Sequence, residues 1–383
     1  MRGWIKKGID AYLDYKSFKT KRHLVIIESD DWGSLRTKNK ASRDKLNAIQ
    51  PRIKNDVYTQ FDSIATHQDL EALFEVLLSV KDRNGNPACV TVNVCTANPD
   101  FDKIKASAYE QFFYKPFSET LDEYSTNTSL FKTWQKGIDE GFFKPQLHGR
   151  EHVHGLAWLK ELKTGNRNLL KAFEQETWGI PYIANTTKRR RNLQASLDHY
   201  GIENEEEFQN QWVLDSCDIF KKAFGYAPKS FIPPAYTWHT GIHKSLKSSG
   251  IQTIQGMKLQ YKPNHQKQTH YKKIPHYTGQ MDRHSGIIYT IRNAYLEPAS
   301  QPDINWVDLT LKGIENAFKN KQPAIIGSHR INFIGRLDVQ HRDKNLKMLK
   351  RILKQIVNKY PDVEFIDSGQ LADILNDKSN KLN

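Results

Sequence analysis

The stretch from Leu24 to Gly33 constrains the fold more than any other part of the sequence. It begins with four apolar residues, three of them β-branched, which is typical of a strand covered on both faces of a parallel sheet. The run then changes to two adjacent carboxylates, Asp30 and Asp31. Neighbouring carboxylates repel each other, so a cation between them would favour the pair. An Asx turn with a capping aspartate is the alternative interpretation of the pair taken alone.

Strand and helix patterns alternate along the rest of the chain. A capping box at Thr66 and Asp69 opens one strongly amphipathic helix, and residues 343–359 form another. Short apolar segments typical of strands lie at 23–28, 88–94, 144–148, 230–234, 251–255, 287–291, 324–329 and 363–366. This alternation predicts an α/β fold, most simply a distorted (β/α)7-type barrel of parallel strands with loop and helical excursions. The absence of a Gly-x-Gly-x-x-Gly motif disfavours a nucleotide-binding doubly wound sheet.

The chain of 383 residues, 38% of them hydrophobic, is long enough for one large domain with a sizeable core. We expect a lead-in helix over 1–22, a barrel domain over 23–372 and a polar tail over 373–383. No stretch approaches the roughly 18 apolar residues of a transmembrane segment, and the basic N-terminus lacks the apolar region of a secretory signal. Three cysteines are too few for a disulfide framework. We therefore expect reduced thiols in the core and a cytoplasmic protein.

The formal net charge of +14 includes one dense basic run at Lys188–Arg191. Such a run can contact nucleic acid or an anionic membrane surface, but it is more often a solvated loop. No zinc-finger or RNA-recognition signature accompanies it, so we expect no nucleic-acid partner.

Ionisable residues collect where the predicted strands end. Asp30 and Asp31 follow the first strand, and His148 and His152 follow the third at a spacing of i, i+4. If the chain turned into a helix there, both imidazoles would face the same way and suit one metal ion. An aspartate from the first strand would complete an open set of two histidines and one carboxylate, which is typical of a hydrolytic metal site. A surface or capping role is the alternative for each histidine singly.

The order of these motifs resembles the polysaccharide deacetylase superfamily, the NodB-homology domain of carbohydrate esterase family 4. That family has an Asp-Asp after its first strand, then His-x-x-x-His, Arg-x-Pro-Tyr and Leu-x-His. The corresponding segments here are Asp30-Asp31, His148–His152, Ile232–Ala235 and Ile326–His329. The likeness spans residues 23–366 in order.

The resemblance implies a mechanism and a role for each matching residue. Asp30 would be the general base and His329 the general acid, and Asp31, His148 and His152 would hold a divalent metal, most often zinc. The side chains expected to contact substrate are Trp32, Ala235, Tyr236, Trp238 and Arg330, with Ala235 also offering a backbone N–H to an oxyanion.

The chain departs from the family at one important position. The arginine that orients the base is absent, and Phe231 or Ile232 stands there. Arg150 and Arg330 are the candidates to supply the missing cation. The large excursions also indicate a divergent member of the family, in which a changed substrate or even a changed reaction is open.

The resulting functional hypothesis is a metal-dependent hydrolase that removes an N- or O-linked acetyl group from a carbohydrate. A phosphate- or lipid-linked glycan precursor would suit the positive charge. Two alternatives from other classes stay open: a non-catalytic carbohydrate-binding barrel, and a glycoside hydrolase that uses Asp30 with Glu151 as its carboxylate pair.

Overall fold

The computed structural model of the protein describes residues 11–125, 129–181, 193–264 and 271–377, so the basic run at 188–191 lies outside the described residues. Residues 11–16 are helical, within the predicted lead-in. The strands are β1 Leu24–Trp32, β2 Val90–Cys95, β3 Ala97–Pro99, β4 Tyr114–Pro116, β5 Phe143–Gly149, β6 Ser230–Phe231, β7 Thr253–Gly256, β8 Leu259–Pro263, β9 Tyr271–Pro275, β10 Ile288–Ile291, β11 Ala294–Tyr295, β12 Ala324–His329 and β13 Glu364–Phe365.

The helices alternate with these strands, as the sequence predicted. They are α1 Lys40–Asn47, α2 Pro51–Lys54, α3 Val57–Phe61, α4 His67–Leu78, α5 Phe101–Ala106, α6 Phe117–Glu123, α7 Leu130–Asp139, α8 Gly155–Lys163, α9 Arg167–Phe173, α10 Glu205–Phe224, α11 His243–Ser248, α12 Trp306–Lys319, α13 Val339–Lys359 and α14 Ser368–Asn376. The predicted capping box at Thr66 and Asp69 is confirmed. In the part of the chain that the structure covers, no helix has the length and apolar character to span a bilayer.

The main sheet is parallel and curled, in the order β10-β7-β6-β5-β2-β1-β12-β11, with β13 paired to the start of β1. Only Arg292 and Asn293 separate β10 from β11, so these two strands are halves of one chain pass. The first half pairs with β7 and the second with β12, so this pass joins the two edges of the sheet. The prediction of a distorted (β/α)7-type barrel is confirmed.

The interior face of β1 changes from apolar to ionic along its length. Leu24 and Ile26 belong to a small apolar cluster with Ile288 and Ile325. Because side chains alternate along a strand, Glu28 and Asp30 continue on the same face. The alternate residues Val25 and Ile27 face the main apolar core, where the sheet packs on α4, α7, α12 and α13.

The two aspartates lie inside β1, which runs to Trp32, and not in a turn beyond it. Asp31 has φ 72°, and the pairing of β1 with β2 shifts register between Ser29 and Trp32. Regular alternation would send Asp31 away from the interior, whereas this bulge turns its carboxylate toward the same cleft as that of Asp30. Aspartate tolerates the left-handed region better than most residues.

The histidine pair is brought together by the end of a strand and not by a helix. His148 lies in β5, His152 lies in the loop that follows, and α8 begins only at Gly155. The turn needs φ 97° at position 149, which glycine adopts without strain. A Cβ at this position would also lie 1.8 Å from the indole of Trp212. The helical i, i+4 geometry expected for this pair is therefore wrong, although the two imidazole rings still lie side by side in the barrel.

The structure contains the excursions expected around the barrel strands. The polar segment after β7 contains the antiparallel hairpin β8–β9. Cys89, Cys95 and Cys217 are buried free thiols, as expected. The domain boundaries stay a prediction, and α14 runs across the one placed after residue 372.

We predict that Gly149→Ala destabilises the protein by about 2–5 kcal/mol, because it adds left-handed strain and overlap with Trp212. Urea unfolding would measure the loss. Gly85→Ala is the matched control, since Gly85 has φ 81° but open space around its Cβ position. The control should lose about 1–2 kcal/mol from strain alone. Equal losses in the two variants would contradict the account of the turn.

Candidate active site

The three predicted metal ligands converge in the barrel. The Nε2 atoms of His148 and His152 lie 3.3 and 3.5 Å from Oδ1 of Asp31, and one ligand atom from each of the three residues falls within 4.8 Å of the others. All three side chains are buried. Oδ1 of Asp31 nevertheless makes no hydrogen bond of acceptable geometry in the described part of the chain. Three possible ligand atoms therefore lie around one small space.

The donor set and its spacing fit a divalent metal ion. With metal–ligand bonds of about 2.0–2.1 Å, the ligand atoms of a tetrahedral site lie about 3.3–3.4 Å apart. The two distances to Asp31 match that edge. Burial lowers the pKa of His152 to about 3 despite the opposing effect of Asp31, so its imidazole is neutral and able to bind. The Nδ1 atom of His148 contacts the carbonyl oxygen of Ile232 at 2.8 Å, which leaves Nε2 for the metal.

The cation that contacts Asp30 is Arg292, from the junction between β10 and β11. Its Nη1 and Nη2 atoms donate to the two carboxylate oxygens of Asp30, each at 2.7 Å, and its Nε donates to Glu28 at 2.7 Å. Gly327 on β12 makes room for it, because a Cβ there would lie 2.5 Å from Cδ of Arg292. Arg150 and Arg330 do not play this part, so both expectations are wrong.

The carboxylate of Asp30 is held ionised. Burial alone would raise the pKa of Asp30, but the charge and hydrogen bonds of Arg292 outweigh it and lower that pKa to about 2. Asn93 donates a further hydrogen bond of 2.8 Å to Oδ1. Asp30 is therefore a fixed anion at neutral pH.

His329 has the opposite charge and lies beside it. Its Nδ1 contacts Glu297 at 2.6 Å, and its Nε2 lies 3.7 Å from Oδ2 of Asp30. Burial alone would lower the pKa of His329, but Glu297, with Asp30 and Asp31, raises it to about 10. The site thus holds an ionised carboxylate next to a protonated imidazole, which is the pairing that acid–base catalysis needs.

Three residues expected to contact substrate lie elsewhere. Trp32 is 1% exposed and packs edge-on against Trp134 and Phe143 in the main core. Trp238 is equally buried and belongs to the apolar cluster beside β7 and β10. Neither ring has a face open to a sugar, so these two expectations are wrong. The bulge in β1 shifts the alternation of its side chains, so the sequence alone does not show whether Trp32 faces the core or the cleft.

Arg330 is buried in an ion pair rather than facing the cleft. Its Nε and Nη2 atoms donate to Asp62 at 2.8 and 3.2 Å, and Arg36 approaches the same carboxylate at 3.3 Å. The expectation that Arg330 contacts substrate is therefore wrong.

Ala235 and Tyr236 lie in a left-handed turn after β6, with φ 54° and 53°. The hydroxyl of Tyr236 accepts a 3.0 Å hydrogen bond from Nη1 of Arg292, which places this phenol at the site. Both residues are partly exposed. Their contact with substrate stays a prediction.

Glu151, the second carboxylate of the glycosidase alternative, is engaged elsewhere. Both of its oxygens accept hydrogen bonds from Arg150, at 2.6 and 3.0 Å, and the carboxylate is fully buried. Arg150 also pairs with Asp215 at 2.8 Å. This arrangement does not support Glu151 as a partner of Asp30 across a glycosidic bond.

The sequence interpretation missed Arg292, Glu297 and Glu28. Arg292 directly follows the predicted strand 287–291, so it stands near the carboxyl end of a predicted strand, as Asp30 and His148 do. Applying that rule to every strand end would have found it. Glu28 carried no signal, because a carboxylate within a strand has no motif, and Glu297 lies after a strand of only two residues.

Neither a family model nor a curated protein matches this sequence. Among solved structures, the chain is similar to a protein assigned as a polysaccharide deacetylase from Mycobacterium smegmatis, with 11% identity, a TM-score of 0.46, and 96% of this chain and 94% of that one covered. A family 4 acetyl xylan esterase from Clostridium thermocellum, in complex with a cobalt ion, is similar with 10% identity, a TM-score of 0.36, and 92% and 91% covered.

A 4-alpha-glucanotransferase from Thermococcus litoralis is also similar, with 11% identity and a TM-score of 0.46. The match covers 91% of this chain and 40% of the glucanotransferase, so this chain spans less than half of its length. At such identities and TM-scores these likenesses name no activity for the chain.

We predict that the protein binds about one divalent ion per chain, as the ligand set requires. Asp31→Asn and His148→Ala should lose the ion while staying folded, whereas Asp30→Asn should retain it. His154→Ala is the matched control, because His154 is a buried neighbour that contacts Glu205 at 3.0 Å instead of the triad. Elemental analysis after zinc reconstitution measures the content. A metal-free wild type would overturn the assignment.

We predict that Arg292→Met destabilises the protein by roughly 3–5 kcal/mol at pH 7, because it leaves Glu28 and Asp30 as buried carboxylates without their counter-charge. The stability that a depressed carboxyl pKa provides is present at neutral pH and lost as pH falls toward 2. The deficit of the variant should therefore shrink at acid pH. Denaturant unfolding at pH 7 and at acid pH measures the deficit. Adding Asp30→Asn to Arg292→Met should recover part of the lost stability at pH 7. A deficit independent of pH would contradict this charge account.

Proposed function

We propose that this protein is a metal-dependent hydrolase that removes an acetyl group, N- or O-linked, from a carbohydrate, as a divergent member of the polysaccharide deacetylase superfamily. One observation carries the proposal. An ionised Asp30 and a protonated His329 lie 3.7 Å apart, in the barrel interior that also holds the buried triad Asp31, His148 and His152. Base, acid and metal ligands are the complete set that hydrolysis of an acyl group uses.

Each residue of the site has a part in the mechanism. Asp31, His148 and His152 would hold the metal, which when bound supplies Lewis-acid polarisation of the acetyl carbonyl and a more acidic water. Asp30 accepts the proton of the attacking water through Oδ2, the oxygen that faces His329. Arg292 keeps that carboxylate in place and ionised. His329 then donates its Nε2 proton to the departing amine or alkoxide, while Glu297 holds Nδ1.

Zinc is the metal we propose, because the edges to Asp31 match a tetrahedral set of short bonds and the ligands are two imidazoles and a carboxylate. We also propose a phosphate- or lipid-linked glycan as substrate, because the net charge of +14 favours an anionic partner. Buried free thiols agree with an enzyme that works in the cytoplasm.

The non-catalytic alternative depended on loss of the arginine that orients the base. Arg292 donates hydrogen bonds to both carboxylate oxygens of Asp30 and can hold it in place, so that reason for inactivity is removed. The bidentate geometry also matches the planar fork of a guanidinium to a carboxylate.

Acetate release tests the function. Zinc-reconstituted protein is incubated with a panel of N- and O-acetylated oligosaccharides and sugar phosphates, and free acetate is measured. We expect turnover by the wild type, none by Asp30→Asn with metal still bound, and a kcat lowered about 10²–10⁴-fold in His329→Ala. Metal-loaded wild type that releases no acetate from any member of the panel, or fully active Asp30→Asn, would overturn the proposal.

The pH profile of turnover should report the contact between His329 and Glu297. A general acid works while it is protonated, so activity falls as pH rises through the pKa of His329. Glu297 raises that pKa, and Glu297→Gln should therefore move the alkaline limb about 1–3 pH units lower. Glu123→Gln, which removes an exposed carboxylate that pairs with Lys115, is the control and should leave the limb in place. An unshifted limb in Glu297→Gln would contradict the assigned acid.

A further inference from the structure

We infer, on the basis of the metal-dependent function proposed above, that Trp178 is a positioning residue for the metal centre. Its indole orients the imidazole of His152 by stacking, in place of the hydrogen bond that orients a metal-bound histidine in most sites. Trp178 lies between α9 and residue 181, in the helical excursion that separates β5 from β6. No motif of the sequence points to it.

The two histidines of the triad are held differently. The second ring nitrogen of a metal-binding histidine usually bonds to an acceptor, which sets both the tautomer and the ring orientation. His148 has such a partner in the carbonyl oxygen of Ile232, at 2.8 Å. Nδ1 of His152 is buried and finds no hydrogen-bond partner on another residue of the described ranges. Among the described residues, packing is therefore what restrains the orientation of this ring.

Trp178 provides that packing. Its ring and that of His152 are nearly parallel, with an interplanar angle of 16° and 5.7 Å between centroids, the range of an offset stack. His148 adds an edge contact with 5.0 Å between centroids. A stack restrains the tilt of an imidazole while using neither nitrogen, so Nε2 of His152 stays directed at Asp31, 3.5 Å away.

The indole is itself fixed to the segment that follows Asp31. Nε1 of Trp178 donates to the carbonyl oxygen of Leu35 at 2.7 Å, and the hydroxyl of Thr177 donates to that of Arg36 at 3.0 Å. The guanidinium of Arg36 lies 4.7 Å from the centroid of the indole, within reach of a cation–π contact. Trp178 thus links the loop of one ligand, His152, to the segment just beyond another, Asp31.

The experiment measures metal affinity rather than activity. Apo-protein prepared with chelator is titrated with Zn²⁺ against a competing chelating dye, and with Co²⁺ to follow the visible spectrum of the bound ion. We expect Trp178→Leu to weaken zinc binding about 10–100-fold, the usual cost of losing a group that orients a ligand. Trp178→Phe keeps an aromatic face and should therefore recover most of the lost zinc affinity. If Trp178 only filled volume, an aromatic replacement would have no such advantage over leucine.

Trp158→Leu is the matched control for lost packing. Trp158 is buried in the same excursion, and its ring contacts within the described ranges are with phenylalanines such as Phe101 and Phe173 rather than with the histidines of the triad. It should lose unfolding free energy comparably, yet bind zinc as the wild type does. If Trp178→Leu fails to fold, Trp178→Met replaces it, since methionine fills much of the volume without a planar face.

Unchanged affinity in Trp178→Leu, or equal weakening in Trp158→Leu, would overturn the inference. Either result leaves the proposed function standing if the wild type binds zinc and releases acetate. A wild type that binds no metal would instead overturn the metal site itself.

Discussion

The ion triad of Glu28, Arg292 and Asp30 is the interaction on which the rest of the site depends. Two carboxylates on one strand face point into a closed barrel, where an unpaired charge costs several kcal/mol. Only a guanidinium satisfies both, because its fork spans Asp30 while its Nε reaches Glu28. Arg292 lies where one chain pass pairs with both edges of the sheet, so the pairing that joins these edges also places the guanidinium beside Asp30.

The same small volume holds groups whose neighbours push their pKa values apart. Arg292 lowers the pKa of Asp30 to about 2, whereas Glu297 and the aspartates raise that of His329 to about 10. Burial keeps the pKa of His152 near 3 and its imidazole neutral. The environment of each group, and not its residue type, therefore sets whether it is anionic, cationic or neutral at pH 7. These charge states depend on the contact of Asp30 with Arg292 and on that of His329 with Glu297.

The excursions contribute to the site as well as to the surface. Tyr58 and Trp178 come from segments outside the barrel strands, and both place a ring within 4.7 Å of the Arg36 guanidinium. Arg36 in turn approaches Asp62, which Arg330 also holds. Sequence spacing predicts none of these contacts, because their members lie up to 268 positions apart and share no motif. The proximity of residues at strand ends is predictable, since parallel strands bring their carboxyl ends to one edge of the sheet. The residues that pack against them from other segments are not predictable from sequence spacing.

The sequence by itself determined the barrel and indicated that Asp30, Asp31, His148, His152 and His329 would lie close together in it. Apolar runs that alternate with amphipathic helices leave few other folds, and ionisable residues at strand ends must then meet. Tertiary structure decided which side of β1 each residue faces, since a single left-handed residue at Asp31 redirects its carboxylate while Trp32 packs into the core. It also decided which arginine meets Asp30. A buried carboxylate pairs with whichever cation lies within hydrogen-bond distance across the barrel. That distance is set by the folded chain and not by separation along the sequence.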